Sequence, residues 1–178
     1  MRILSLLCLS LIFGIKAPQS KLSPPPVEGV ALNAPLANYE KSVYLITGKE
    51  DIYQKYDWLK ESIQNNIKNG IREGIYQGNT LDIVDGNKAS KMTLFFYKEA
   101  LYKVRWSFSK SDYSDLKAAS VKLDNYLTDK YGKITELGFY DMKIWRDEKV
   151  YLQSLGDADE YQIEYRDEKT HLIVEALN

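Results

Sequence analysis

The chain has 178 residues with 24 basic and 25 acidic side chains, one histidine and one cysteine. Near-neutral charge without a basic block argues against a nucleic-acid partner, whose affinity rests on neutralising phosphates. A single thiol excludes an internal disulfide framework, and one histidine leaves a zinc centre short of ligands, so no metal or cofactor is expected.

The first twenty residues, MRILSLLCLSLIFGIKAPQS, place Arg2 before an apolar run from Ile3 to Ile15. That run is short for a bilayer span and has the form of a signal peptide over residues 1–17, with Ile15 and Ala17 at the positions that flank a cleavage site. Cleavage there would remove Arg2, Cys8 and Lys16, leaving 22 basic and 25 acidic side chains and a net charge of −3. Leu7 precedes Cys8 and apolar residues follow it, a poor context for a lipid-acceptor cysteine. The expectation is a secreted or periplasmic bacterial protein with no transmembrane anchor after signal removal. Residues 18–37, with Pro24, Pro25 and Pro26 in a row, are expected to form a proline-rich disordered leader, since proline fixes φ and withholds a donor. Residues 38–178 are expected to fold as a single α+β domain.

Within that domain, Ile52, Tyr56, Leu59, Ile63 and Ile67 recur at helical spacing, and Asn69-Gly70 ends the pattern. A run of β-branched and aromatic residues follows from Gly74 to Ser109, interrupted by Gln77-Gly78-Asn79 and by Asp85-Gly86. It predicts a meander of about three strands. In its last strand Tyr102, Val104, Trp106 and Phe108 alternate with Lys103, Arg105 and Ser107, which predicts one buried and one wet face. A second helix is marked by Asp112 and Asp115 near its start, by Leu116, Ala119, Leu123 and Leu127 along one face, and by Lys130 and Gly132 at its end. Four or five short strands are predicted beyond it, near Ile134 to Tyr140, Met142 to Trp145, Val150 to Leu155, Tyr161 to Tyr165 and His171 to Ala176. The fold expected is a two-layer α+β domain: two helices packed on one face of a mainly antiparallel sheet of about seven strands, with two α-β repeats as one arrangement. This layout resembles, in architecture alone, the tandem α/β arrangement of bacterial β-lactamase-inhibitor-type proteins, which act by binding another protein.

Arg-Asp-Glu-Lys occurs twice after an aromatic, at Arg146 to Lys149 and at Arg166 to Lys169. Four-residue hairpin loops need no glycine, so both copies are expected to be turns, with mixed charge keeping the tips soluble. GDADE, Gly156 to Glu160, lacks the spacing of a calcium loop and is expected to be another hairpin. His171 has no Gly-x-Ser-x-Gly elbow or second histidine to work with and is expected to be structural.

Trp145 is in phase with Lys143, Tyr151 with Gln153, and Trp58 lies beside the first helix stripe. Exposed aromatics next to cations dominate many interfaces, so Trp145, Tyr151, Arg105, Lys103 and Trp58 are the candidate partner-binding residues. The function expected is a non-enzymatic exported binding protein that docks a protein of the envelope or host through an open sheet face. A secreted carboxylate-dependent hydrolase is the alternative, supported by abundant Asp and Glu and by no particular pair.

Overall fold

The computed structural model describes residues 30–47, 57–78, 83–84 and 86–177, and the side chains of all of these except 57–60 and 83–84. In chain order the elements are β1 (Val43–Leu45), α1 (Asp57–Lys68), β2 (Ile71–Tyr76), β3 (Ile83–Val84), β4 (Asn87–Lys88), β5 (Lys91–Tyr97) and β6 (Ala100–Ser109). They continue with α2 (Leu116–Tyr131), β7 (Glu136–Leu137), β8 (Lys143–Arg146), β9 (Val150–Gly156), β10 (Glu160–Asp167) and α3 (Glu168–Glu175). The main sheet has eight strands in the order β1-β2-β5-β6-β10-β9-β8-β7, every described pair antiparallel, and β3 with β4 forms a separate small hairpin. The α+β class and the antiparallel sheet are therefore as the sequence indicates. α1 precedes β2, β5 and β6, α2 precedes β8, β9 and β10, and the two halves join where β6 pairs with β10.

The helices do not share one face. Strand register puts Leu94, Val104, Trp106, Ile163, Tyr165 and Leu152 on one side of the sheet. They form the main core there with Leu116, Leu123 and Leu127 of α2. The opposite side carries Ile71, Phe95 and Tyr102, which pack with Val174 of α3. Ile63 and Asn66 of α1 face the same space as these residues. The sheet centre is thus buried from both sides, and strand alternation no longer separates inside from outside.

Local chemistry sets the boundaries. The Asp115 carboxylate accepts from the Ala118 amide at 2.9 Å and starts α2, and Gly132 ends it with φ +87°. The first Arg-Asp-Glu-Lys is a hairpin: Asp147 Oδ1 accepts from the Lys149 and Val150 amides, each at 2.9 Å. Asp157 does the same in GDADE with the amides of Asp159 and Glu160. The second copy departs from expectation. Asp167 Oδ1 accepts from the Thr170 amide at 2.8 Å, but as an N-cap, and residues 168–175 form a helix instead of the strand expected near His171 to Ala176. Capping chemistry and the burial of His171 and Val174 at helical spacing outweigh the β-branched composition of Thr170 to Val174.

Residues 30–37, expected as part of the leader, contribute to the fold. Val30 and Leu36 are buried in the main core, and backbone bonds run from Asn33 N to Leu101 O and from Leu36 N to Glu99 O, each at 2.7 Å. Residues 18–29, with the three consecutive prolines, and the expected signal peptide lie outside the described residues. Residues 33–36 also brace the Lys98-Glu99 hairpin, where both residues have positive φ, +48° and +66°. Two-residue turns of this kind normally recruit Asn or Gly, so the bracing offsets a local cost of about 1–2 kcal/mol per residue.

Truncating Leu36 to alanine is expected to cost about 2–5 kcal/mol in urea unfolding, as for other core leucines. A chain starting at residue 38 should likewise be less stable than one starting at residue 30. Equal stability of those two chains would place residues 30–37 outside the cooperative unit.

Candidate functional site

The expected binding residues do not form one surface. Trp145 is 1% exposed, because its phase is shared with Lys143 and that phase faces α2. Its indole Nε1 donates to the Gly132 carbonyl at 2.9 Å, closing the end of α2, while Lys143 reaches the Asp124 carboxylate. Tyr151 is also buried and lies on the opposite side of the sheet, with the Arg166 guanidinium 3.9 Å from its ring centroid. Exposure of these two aromatics, expected from the sequence, is therefore corrected: both sheet faces are covered where they sit. Trp58 falls within α1, and its side chain lies outside the described part.

Lys103 and Arg105 do come together, around Glu164. The Glu164 carboxylate takes Arg105 at 3.0 Å, Arg166 at 2.9 Å and Lys103 at 3.9 Å, and Arg166 also reaches Glu168 at 3.0 Å. Glu164 is buried, which by itself would raise its pKa, but Lys103 and the two arginines outweigh burial and hold it below the usual carboxylate range. It stays ionised at neutral pH and does not suit a general acid. Burial lowers the pKa of Lys103, and Glu164 opposes that effect. Lys103 also lies 4.1 Å from the Phe95 ring centroid. Cross-strand register then gives the row Arg146, Tyr151, Arg166, Lys103, Phe95, in which cations and rings stack across the sheet. Such contacts contribute on the order of 0.5–2 kcal/mol each.

On the α2 side, Asp124 Oδ1 accepts from Tyr161 at 2.6 Å and Ser154 at 2.7 Å, and Oδ2 takes Lys143. This network ties α2 to β8, β9 and β10. Ser154 spends its proton on Asp124 and is buried, so the cluster serves as a brace and does not offer a poised nucleophile.

Two features were missed from the sequence. The first is the β7–β8 hairpin, where Leu137, Phe139 and Tyr140 are 71%, 86% and 90% exposed. Its tip is closed by Gly138 N to Met142 O at 2.8 Å and Met142 N to Phe139 O at 3.2 Å, with Tyr140 and Asp141 both at positive φ. A groove of about 480 Å³ runs beside it, between α2 and the β9–β10 turn, lined by Val121, Lys117, Tyr140, Asp141, Leu155 and Ala158 among others. The Gly-Phe-Tyr-Asp sequence carried the signal, a turn-forming pair bracketing two aromatics, but Gly138 to Tyr140 fell at the end of a segment expected to be a strand. The second is a cavity of about 310 Å³ on the opposite side of the sheet, between the strands, α1 and α3. Phe95, Tyr102 and Lys103 form its floor, and His171, Asn66 and Glu73 are among its walls.

Among the described residues no cluster of three or more metal-ligating side chains occurs, and no helix is long and apolar enough to cross a membrane. No family model, no curated protein and no solved structure matches the chain.

Burial pushes the His171 pKa below its ordinary value, and Arg166 adds to this while Glu175 opposes it. The unfolded chain then takes up a proton near pH 6.5 that the native protein resists, so stability is complete above about pH 6.5 and falls as pH drops below it. Urea midpoints at about pH 5.5 and 7.5 should show that loss in the wild type and lack it in His171→Gln, because His171 is the only histidine. An unchanged pH slope in His171→Gln would contradict it. Glu164 acts lower: its folded pKa is depressed from 4.5, so its contribution is present at neutral pH and disappears as pH falls through the folded value.

Proposed function

We propose that this is an exported, non-enzymatic binding protein that docks another protein through the β7–β8 hairpin and the groove beside α2. The carrying observation is the exposure of Leu137, Phe139 and Tyr140 on one short hairpin at the sheet edge. Contiguous apolar side chains held in water on a folded scaffold mark interaction sites. Two aromatic rings supply about 300–500 Å² of contact, a large part of the roughly 800 Å² that each side of a standard interface buries.

The backbone supports the same reading. Tyr140 and Asp141 hold left-handed conformations, φ +56° and +58°, where glycine would be unstrained. Strain kept at a site that presents aromatics to solvent is characteristic of recognition elements. The one charged group in the turn from Gly138 to Met142 is the acidic Asp141, which favours a protein partner that inserts an apolar side chain into the groove over an anionic lipid surface. Export rests on the N-terminal Arg2 and the apolar run to Ile15.

The test replaces Tyr140 with a photo-crosslinking phenylalanine analogue and irradiates the protein in a cell-envelope and culture-supernatant extract. One discrete protein adduct is expected from position 140 and none from exposed Lys122 on α2, with the adduct lost when Phe139→Ser is added. Equal labelling from both positions, labelling of lipid alone, or an adduct of two copies of this chain would overturn the reading. Tyr140→Gly should raise stability by about 1 kcal/mol through relief of the left-handed strain and still weaken capture.

A further inference from the structure

The cavity under α1 and α3 is unrelated to the hairpin: it lies on the opposite side of the sheet and at the end of β6 that carries Tyr102 and Lys103. Its apolar lining comes from Ile46, Ile63, Ile71, Phe95 and Val174. Its polar groups are unevenly matched. His171 is 6% exposed, and its ring is inclined 20° to that of Tyr102 with centroids 6.4 Å apart. Nε2 lies 2.9 Å from Glu175 Oε1, so the neutral ring carries its proton on Nε2 and leaves Nδ1 as an acceptor. Nδ1 is buried and has no hydrogen-bond partner among the described residues. Asn66 Oδ1, a second acceptor lining the same cavity, is also buried and also lacks a partner among the described residues. Buried polar atoms in folded proteins are nearly always satisfied, and two orphans of one kind at one cavity are a paired departure from that rule.

The charges point the same way. Among the described lining residues Glu73 and Glu175 stand against one cation, Lys103, which is turned to Glu164 and to the Phe95 ring. The lining is therefore rich in acceptors and carries a net negative formal charge. From this geometry we infer that the cavity is a binding site for a small amphipathic amine, whose N–H donors satisfy His171 Nδ1 and Asn66 Oδ1 and whose apolar body lies against Phe95, Ile71 and Val174. At about 310 Å³ the space suits a molecule of roughly ten non-hydrogen atoms or fewer. A carboxylate of the same shape would face two acceptors and two glutamates and be rejected, and an alcohol would satisfy one orphan without answering the charge.

His171 is the only histidine and so reports the site directly. Long-range proton–nitrogen spectra of the intact protein, at fixed pH, would be titrated with 3-methylbutylamine, 3-methylbutanol and 3-methylbutanoate, which share one apolar body. The amine should shift the His171 Nδ1 resonance in the millimolar range or below, the alcohol more weakly and the carboxylate not at all. Asn66→Ala removes one acceptor without touching the probe and should weaken the amine about fivefold, the effect of one hydrogen bond. A His171 resonance unmoved by the amine, an equal response to all three compounds, or an Asn66→Ala protein that binds the amine as the wild type does would each overturn the inference.

Discussion

A sheet packed on both sides must neutralise whatever charge it carries at its centre, and Glu164 is the group that does so here. It sits in the middle of β10, buried, with Lys103 and Arg105 across one strand boundary and Arg166 two residues along its own strand. Removing Glu164 would leave three cations facing one another over Phe95 and Tyr151, and breaking a buried ion cluster in that way typically costs about 3–5 kcal/mol. The cluster lets β6 and β10 join the two halves of the sheet while α3 lies across it. Asp124 plays the corresponding part on the other side, tying α2 to three strands through Lys143, Ser154 and Tyr161.

Two-sided packing also explains what the sequence revealed and what it did not. The α2 helix was legible to within a residue or two, since Asp115 and Gly132 mark its ends by chemistry that acts locally. The meander, the first Arg-Asp-Glu-Lys turn and the GDADE turn were legible for the same reason. The second Arg-Asp-Glu-Lys was not, because an aspartate that captures an amide three residues ahead begins a hairpin or a helix equally well. The choice falls to residues further along the chain, and here His171 and Val174, at helical spacing, fill the space over Tyr102 and Phe95. The sequence puts Trp145 in the right phase and on the wrong side of the solvent boundary. Lys143 reads as the marker of a wet face, whereas its half-buried side chain lies along the sheet and brings its ammonium to Asp124 of α2, as long cationic side chains commonly do.

The two proposed sites also differ in how visible they were. Phe139 and Tyr140 are plain in the sequence but look like strand residues until the left-handed backbone at Tyr140 turns them outward. The cavity is formed by residues from distant parts of the chain, and no local pattern could place Asn66 beside His171. One site lies on the α2 side at the sheet edge and the other beneath α1 and α3, so occupation of either leaves the other accessible. On the proposed reading, the apolar hairpin and the separate small cavity would place two recognition tasks on one scaffold, with the charge clusters at its centre serving as braces.

The position of Trp145 tests the two-sided sheet most directly, since the choice of the hairpin over the sheet face depends on it. A protein with Trp58→Phe and Trp106→Phe keeps Trp145 as its only tryptophan. Its emission should be blue-shifted and nearly insensitive to acrylamide until the protein unfolds, as expected for an indole under the end of α2. Red-shifted emission, readily quenched in the native state, would contradict the account and return the aromatic sheet face as the docking surface.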